Sequence, residues 1–466
     1  MRKKRRALFL ILAILIGWFI LYNQGKDEAQ TQELIFASLI YFLCFLPLVI
    51  YFLSGEENIP YVPIFGLFYF IYFGLSIFTK YDLFSKSYLS SIFLVKCLSM
   101  AMWGFILFIV SFYFISPKLI GPLVKPLKLP LDPKKAYRFS IFLGFIGISI
   151  DYIALTQRLP AFVSSGVASF LSGLSRLSIA ILYLLNLRQA LKFNGKIFFW
   201  CGIFIPKLLL DLITGSTLHL ILDFAILIFL DFYHYGRIPW KKAVLALVFF
   251  VLIFSVRDDY RGLTWYYGEH RNASPTQKVR LYFKLISDKL TGRQERQADV
   301  YEALAARTDY LVTFAKVVEL TPSLVPFWGG YSYSTLVTSL LPRMIFPDKP
   351  VKNVGQEFGH RYSFLTAEDL STSYNLPLLL EMYVNFGELG VWLGMFILGL
   401  IFRFLYSLLN HPKAGEGGIL ISTVIFVNLL NVESDFSLVF GSTLQYILLF
   451  YIVIRRMKLR QPRLDE

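Results

Sequence analysis

The sequence predicts an all-helical protein that crosses a membrane about twelve times. Of its 466 residues, 56% are hydrophobic and only 17% are charged, whereas a soluble domain has roughly 45–50% apolar and about 25% charged residues. The mean hydropathy of +0.58 points the same way. The charged residues lie between apolar runs, and this pattern excludes an ordinary soluble enzyme, a disordered chain and a coiled coil.

Apolar runs near the length that crosses a bilayer, about 20 residues, occur twelve times. The sixth, ninth and eleventh runs are short, so counts of eleven and thirteen stay open. Five basic residues precede the first run, but no small-residue cleavage site follows it, and we expect a retained anchor. The twelve expected spans are 7–23, 34–53, 61–78, 93–116, 139–156, 175–188, 197–213, 217–233, 242–256, 388–409, 418–432 and 436–454.

Lysine and arginine gather in alternate loops, and this asymmetry predicts the orientation. The loops 117–138 and 234–241 and the tail after 454 are basic, and such segments stay on the cytoplasmic side. We therefore expect both termini in the cytoplasm and no binding of nucleic acid, because the net charge of +15 reflects topology. The chain divides into a first bundle of about nine spans (1–256), a large outer loop (257–387), and three final spans with a basic tail (388–466).

The outer loop has two parts of different composition. Residues 277–319 carry apolar positions at helical spacing, which predicts amphipathic helices lying on the bilayer surface. Residues 321–350 are rich in Pro, Gly, Ser and Tyr, which predicts an ordered loop that returns toward the membrane.

Arginine is frequent in this loop and starts directly after the ninth span. Arg257-Asp-Asp-Tyr-Arg-Gly262 places two cations and two carboxylates at the outer interface. Surface salt bridges would explain such arginines, and so would a site for an anionic group, since the planar guanidinium fits phosphate oxygens. Adjacent acids do not share a helix face, so Asp258 and Asp259 are a weak metal site and we expect no metal.

Two further segments carry candidate residues. Leu341-Pro-Arg-Met-Ile-Phe-Pro-Asp-Lys-Pro350 has three prolines, which would hold Arg343 and Lys349 on a stiff loop; a structural turn at membrane re-entry is the alternative. His360 and Arg361 follow, and His360 is a candidate for proton transfer or an ordinary interface residue.

Glu381 and Asn385 enter the tenth span four residues apart and share a helix face. A carboxylate at the start of a span is treated as functional by default. Other ionisable residues lie in the earlier spans, and they keep a proton-coupled transporter open as an alternative. Lys207 and Asp211 are spaced to pair on one helix face, and the remaining residues are Asp151, Asp223 and Asp231.

The two late segments resemble bacterial oligosaccharide repeat-unit polymerases, the Wzy-type polymerases of O-antigen and capsule. Pro342-Arg343 with Phe346-Pro-Asp-Lys-Pro350 is similar to the family's PR-(I/L)-(F/W)-P-x-KP stretch. Glu381-x-Tyr383-x-Asn385-Phe386-Gly387-x-x-Gly390 is similar to its E-x-Y-x-N-F-G-x-x-G segment. The many-span layout with a large late loop adds to the likeness.

The resemblance implies a membrane glycosyltransferase at the outer face of the bacterial cytoplasmic membrane. It would transfer a growing glycan from polyprenyl pyrophosphate to a new lipid-linked repeat unit, without metal, nucleotide sugar or other cofactor. The expected partners are these lipid-linked oligosaccharides, the bilayer, and a chain-length regulator and flippase of the pathway. The residues expected to act are Arg343, Arg257, Glu381 and His360 in catalysis, and Arg261, Lys349, Arg361, Tyr383 and Asn385 in substrate binding.

Two alternatives stay open. A glycan ligase shares this layout, and an outer-loop histidine such as His360 would be its mark. A lipid or glycan transporter is third, because it would need cations along a path through the spans and not on one outer loop.

Overall fold

A computed structural model describes residues 2–27, 29–54, 58–79, 91–156, 165–265, 268–292, 310–334, 336, 353–370 and 372–458. Within these ranges the backbone forms helices joined by turns and loops, and no strand is present. Leu131 and Lys458 form one isolated bridge between extended residues. The expected all-helical fold is confirmed.

The helices follow the apolar runs of the sequence. Two of them contain π-helical stretches, at Ser111–Ile115 and Phe198–Phe204, and a π-helical turn, Tyr406–Asn410, extends α14. In chain order the helices are α1 (Arg2–Gly25), α2 (Thr31–Ser54), α3 (Tyr61–Phe73), α4 (Ser91–Leu119), α5 (Pro133–Leu155), α6 (Ser165–Leu187), α7 (193–213), α8 (Thr217–Tyr235), α9 (Trp240–Ser255), α10 (Arg257–Thr264), α11 (Pro275–Leu290), α12 (Tyr310–Leu320), α13 (Val354–Arg361), α14 (Leu378–Leu405), α15 (Glu416–Leu429) and α16 (Phe436–Arg456).

Six of the described helices are long and apolar enough to cross a membrane, namely α1, α2, α4, α5, α14 and α16. Shorter apolar helices are α3, the stretch Leu171–Leu187 of α6, and α15. Each of the twelve expected spans coincides with a helix. The length and composition of these helices support the assignment as a membrane protein. The number of twelve spans stays a prediction.

Helix α14 begins earlier than the span expected at 388. Pro377 occupies its N-cap, and the helix starts at Leu378. The apolar run of the sequence begins only at 388, because Glu381 and Asn385 lower the apolar average of the first turns. Both polar side chains are nevertheless buried, with exposures of 0% and 1%.

Helices α2, α3, α4 and α14 pack around an aromatic core. The Phe65 ring of α3 lies 4.8 Å from Phe108 of α4 and 5.0 Å from Phe402 of α14, measured between ring centroids. Gly66 lets α3 approach α2 closely, since a Cβ there would lie 2.5 Å from the carbonyl oxygen of Cys44. Small residues at such crossings permit the close packing on which membrane helices depend.

Helices α5 and α6 form a second close pair through small residues. A Cβ on Gly147 would lie 2.4 Å from the backbone nitrogen of Ser175, and Ser178 donates a 2.6 Å hydrogen bond to the carbonyl oxygen of Ser140. Helices α7 and α8 pack against this pair. Several polar and charged side chains of these four helices are buried in this arrangement.

The described parts of the segment 277–319 contain two different kinds of helix. α11 starts at a capping box between Ser274 and Gln277 and is amphipathic, as expected. The prediction of a surface position is wrong for α12, whose Leu311 and Phe314 are 0% exposed in the main core. This helix packs against α4, because most of its residues are apolar and most of them are buried.

Candidate functional site

Helix α14 is broken at Phe386 and Gly387. Gly387 has φ 66° and ψ −151°, a conformation that is open to glycine and strained for a residue with a Cβ. A Cβ at this position would also lie 3.1 Å from the Phe327 ring. The break makes the polar first part of the helix, residues 378–385, a unit of its own before the long apolar part.

Two polar side chains of this unit hold the loop 328–333. Asn385 Oδ1 accepts a 2.9 Å hydrogen bond from the backbone N–H of Gly330. Its Nδ2 donates to Ser332 Oγ at 2.8 Å. Ser332 Oγ in turn donates to Glu381 Oε1 at 2.5 Å. The loop is therefore attached to both Glu381 and Asn385.

Glu381 joins this loop to the start of α16. Its second oxygen, Oε2, accepts a 2.6 Å hydrogen bond from the backbone N–H of Phe436. Ser437 Oγ donates to the carbonyl oxygen of Ser332 at 3.2 Å. Glu381 thus has a donor on each oxygen and no exposed surface. In this arrangement it connects three segments, and its role as the catalytic base stays a prediction.

Tyr383 lies beside the same loop and is buried. Its hydroxyl donates to the carbonyl oxygen of Thr321 at 3.1 Å, and the hydroxyls of Thr321 and Tyr362 are 2.6 Å apart. This chain of contacts fixes the residues that lead from α12 toward Trp328. Tyr383 is thereby tied to the loop, and its expected contact with substrate stays a prediction.

His360 and Arg361 end α13 next to this loop. Arg361 donates a 2.6 Å hydrogen bond to the carbonyl oxygen of Pro326 and lies over the Trp328 ring at 5.8 Å. Within the described part of the chain, three buried nitrogen atoms here have no hydrogen-bond partner, namely Trp328 Nε1, His360 Nε2 and Arg361 Nε. Buried polar atoms without partners are uncommon and call for an explanation. Donors of this kind suit anionic or hydroxyl oxygens of a ligand.

Arg257 and Arg261 belong to a different group of contacts around α10. Arg257 is buried, forms an ion pair with Asp258 at 2.7 Å, and lies over the Phe254 ring at 4.4 Å. Arg261 donates twice to the carbonyl oxygen of Gly215, at 3.0 and 2.8 Å. Arg261 is thereby attached to the turn between α7 and α8, and Arg257 is held by the end of α9 and the start of α10.

Tyr260 anchors the same turn. Its hydroxyl donates a 2.7 Å hydrogen bond to the carbonyl oxygen of Ile213, and its ring lies 4.3 Å from that of Tyr282. Burial raises the pKa of Tyr260 to about 12. The tyrosine therefore stays neutral and structural at physiological pH.

Two of the expected residues, Arg343 and Lys349, lie outside the described residues. The loop that Asn385 holds leads directly into their segment. The described side chains include no group of three or more His, Cys, Asp or Glu that would hold a metal ion.

Sequence reasoning missed several residues of the site. Ser332, which links Glu381 to Asn385, has no signal in a single sequence. Trp328 had one, since a tryptophan before two glycines in a polar loop indicates a ring held near the backbone. Outside this site, Arg176, a lone arginine in the sixth apolar run, was also overlooked.

Comparison with known proteins gives one match. No curated protein and no solved structure is detectably similar to the chain. The sequence model of one family, described as "Domain of unknown function (DUF8712)", matches residues 58–459. This range includes every described helix from α3 to α16. The chain therefore belongs to the DUF8712 family.

Proposed function

We propose that the protein is a membrane glycosyltransferase that joins lipid-linked oligosaccharide repeat units, as the Wzy-type polymerases do. The observation that carries the proposal is the group of three unpartnered nitrogens at Trp328, His360 and Arg361. They adjoin the loop that Glu381 and Asn385 hold, and these two residues belong to one of the two segments that carry the family resemblance.

The proposed reaction needs little beyond positioning and charge. The bond between sugar and pyrophosphate is already activated, so the site stabilises a leaving pyrophosphate while a base helps the acceptor hydroxyl. Arg361 and Arg343 supply charge for the pyrophosphate, and Trp328 and His360 supply donors for its oxygens or for the sugar. Glu381 is the first candidate for the base and His360 the second.

The proposal includes a location. The chain spans the bacterial cytoplasmic membrane about twelve times, with both termini in the cytoplasm and the loop of α10–α13 outside. Lipid-linked substrates then reach the site from the outer leaflet. Arg257 and Arg261 assist at the bilayer interface, where Arg261 remains attached to the turn after α7.

The test is genetic complementation. A strain that lacks the gene is complemented with wild type, Arg343→Ala or Arg361→Ala, and surface glycans are separated on a gel. Each donor of this type is worth about 100–1,000-fold in rate, so both variants should leave mainly single repeat units on the final acceptor. Arg138→Ala, which replaces an exposed arginine in the second turn of α5, is the matched control and should restore the ladder. Full ladders from both Arg343→Ala and Arg361→Ala would refute the site.

A glycan ligase is the second candidate, favoured by the unpartnered His360 imidazole. It predicts a different phenotype in the same assay. Loss of His360 would then leave finished polymer on its lipid carrier, unattached to the final acceptor.

A further inference from the structure

Five charged side chains meet between helices α5, α6, α7 and α8. They are largely withdrawn from the surface, with side-chain exposures between 0% and 13%. Charges at membrane depth are expensive and usually functional. We call this group the buried charge cluster, and its members are Asp151, Arg176, Lys207, Asp211 and Asp223.

The two cations of the cluster are surrounded by the carboxylates. Lys207 Nζ lies 2.6 Å from Asp211 Oδ1 and 3.0 Å from Asp151 Oδ2. Arg176 bridges Asp211 and Asp223, because its Nη2 lies 3.3 Å from Asp211 Oδ2 and its Nε lies 3.3 Å from Asp223 Oδ1. The pairing of Lys207 with Asp211 that the sequence predicted is confirmed. Both cations are shared between carboxylates, and no carboxylate has a cation to itself.

The cluster has one negative charge too many if every group is ionised. Two cations face three carboxylates, so the formal charge is 2 − 3 = −1. An uncompensated buried charge costs several kcal/mol by order of magnitude, because burial removes its hydration. One additional positive charge is therefore required within the cluster.

Asp223 is the carboxylate whose negative charge is least compensated. Its side chain is 0% exposed, and its Oδ2 has no hydrogen-bond partner within the described part of the chain. The Asp211 carboxyl group adjoins it, within reach of a side-chain hydrogen bond. Two carboxyl groups that adjoin each other away from water do not both ionise, and they share a proton instead.

We propose that the buried charge cluster is a proton-binding site, in which Asp211 and Asp223 share one exchangeable proton. Oδ2 of Asp223 carries the proton and donates it toward Asp211, which satisfies the unpartnered atom. A metal cation is disfavoured, because the nitrogens of Lys207 and Arg176 already lie between the carboxylates and would repel it.

His219 gives the proton a route to the surface. Its Nδ1 lies 3.9 Å from Asp211 Oδ1, and its side chain is 43% exposed. A neutral imidazole has one ring nitrogen that accepts a proton and another that releases one. His219 therefore relays the proton between solvent and the two aspartates.

The neighbouring helices add few other titratable groups. α16 contributes Tyr446, whose ring lies against Gly173 of α6. α15 packs on α6 and α8, but its acid, Glu416, is the first residue of the helix and is paired with Arg188. These groups leave the charge of the cluster unchanged near neutral pH.

Infrared spectroscopy of the purified full-length protein tests the proposal. A protonated carboxylic acid absorbs at a different frequency from a carboxylate, and its band shifts in heavy water. We expect the spectrum of wild type at neutral pH to contain an acid band that is absent from Asp223→Asn and also from Asp211→Asn. Two variants are used so that misfolding of one leaves the test decisive. The exposed N-cap variant Asp132→Asn is the control and should keep the band.

Two results would overturn the proposal. One is the same set of acid bands in wild type and in both variants. The other is stabilisation of wild type by Na⁺ but not by choline at equal ionic strength, lost in Asp223→Asn, which would assign the missing charge to a metal cation. The readout involves no glycan, so it is independent of the proposed glycosyl transfer.

Discussion

At the scale of single residues, the candidate site depends on buried polar groups that satisfy one another. Glu381, Ser332 and Asn385 form a continuous set of hydrogen bonds between α14 and the loop 328–333. The sequence revealed two members of this set, because a carboxylate and an amide four residues apart share a helix face. Ser332 was invisible, since its contact spans 49 residues of sequence.

Asn385→Ala should destabilise the protein by about 1–3 kcal/mol, because it leaves buried donors and acceptors without partners. The expected loss concerns the N–H of Gly330 and the hydroxyl of Ser332. Thermal unfolding in detergent measures it as a lower midpoint. Asn23→Ala, which removes one exposed side-chain bond on α1, should leave the midpoint nearly unchanged. Equal midpoints for the two variants would show that the loop is not held in this way.

Asp435 should make stability fall as pH rises. Burial raises the pKa of Asp435 above its usual 3.8, although backbone N–H groups oppose this. The folded state then binds more protons than the unfolded state from about pH 4 upward, and stability decreases with pH across that range. Asp435→Asn keeps a side-chain oxygen for the N-cap of α16 and should make the decrease shallower.

Asp132 provides the opposite case on α5. Hydrogen bonds from the backbone N–H groups of Lys135 and Lys134, offset only partly by burial, lower its pKa. Its contribution is therefore present above pH 3.8 and is lost as pH falls below that value. Unfolding midpoints of both variants are measured against pH and compared with wild type. As pH rises, Asp435→Asn should gain stability relative to wild type and Asp132→Asn should lose it. A parallel change in the two variants would contradict the assignment for Asp435.

At the scale of helices, hydropathy located the elements and missed their irregularities. Each expected span lies on a helix because twenty apolar residues in lipid have to satisfy their backbone internally. The break at Phe386 and Gly387 was not foreseen, since a single glycine within an apolar run is common in membrane helices. The burial of α12 was not foreseen because its composition fits a surface helix and a core helix equally.

Gly387→Ala tests whether the break in α14 is required. A Cβ would be strained at φ 66° and close to the Phe327 ring, so we expect a loss of about 1–3 kcal/mol in unfolding free energy. Gly262→Ala in α10 is the matched control, since no atom lies within 4 Å of its added Cβ. A variant Gly387→Ala as stable as the control would mean that α14 straightens without cost.

At the scale of the whole molecule, two polar centres lie in one helical protein. The loop held by α14 presents donors without partners, and the bundle of α5–α8 encloses the buried charge cluster. The sequence indicated the first through its motifs and part of the second through Lys207 and Asp211. The contact between Arg176 and Asp223 could not be predicted from the sequence, because it depends on how α6 packs against α8.

Reconstitution tests the central claim most directly. Lipid-linked repeat units that accumulate in the deletion strain are extracted and incubated with the purified protein in liposomes, without nucleotide sugars. We predict a ladder of lipid-linked polymers with wild type and only starting material with Arg343→Ala. Unchanged repeat units with folded wild-type protein, or an equal ladder with Arg343→Ala, would contradict the account.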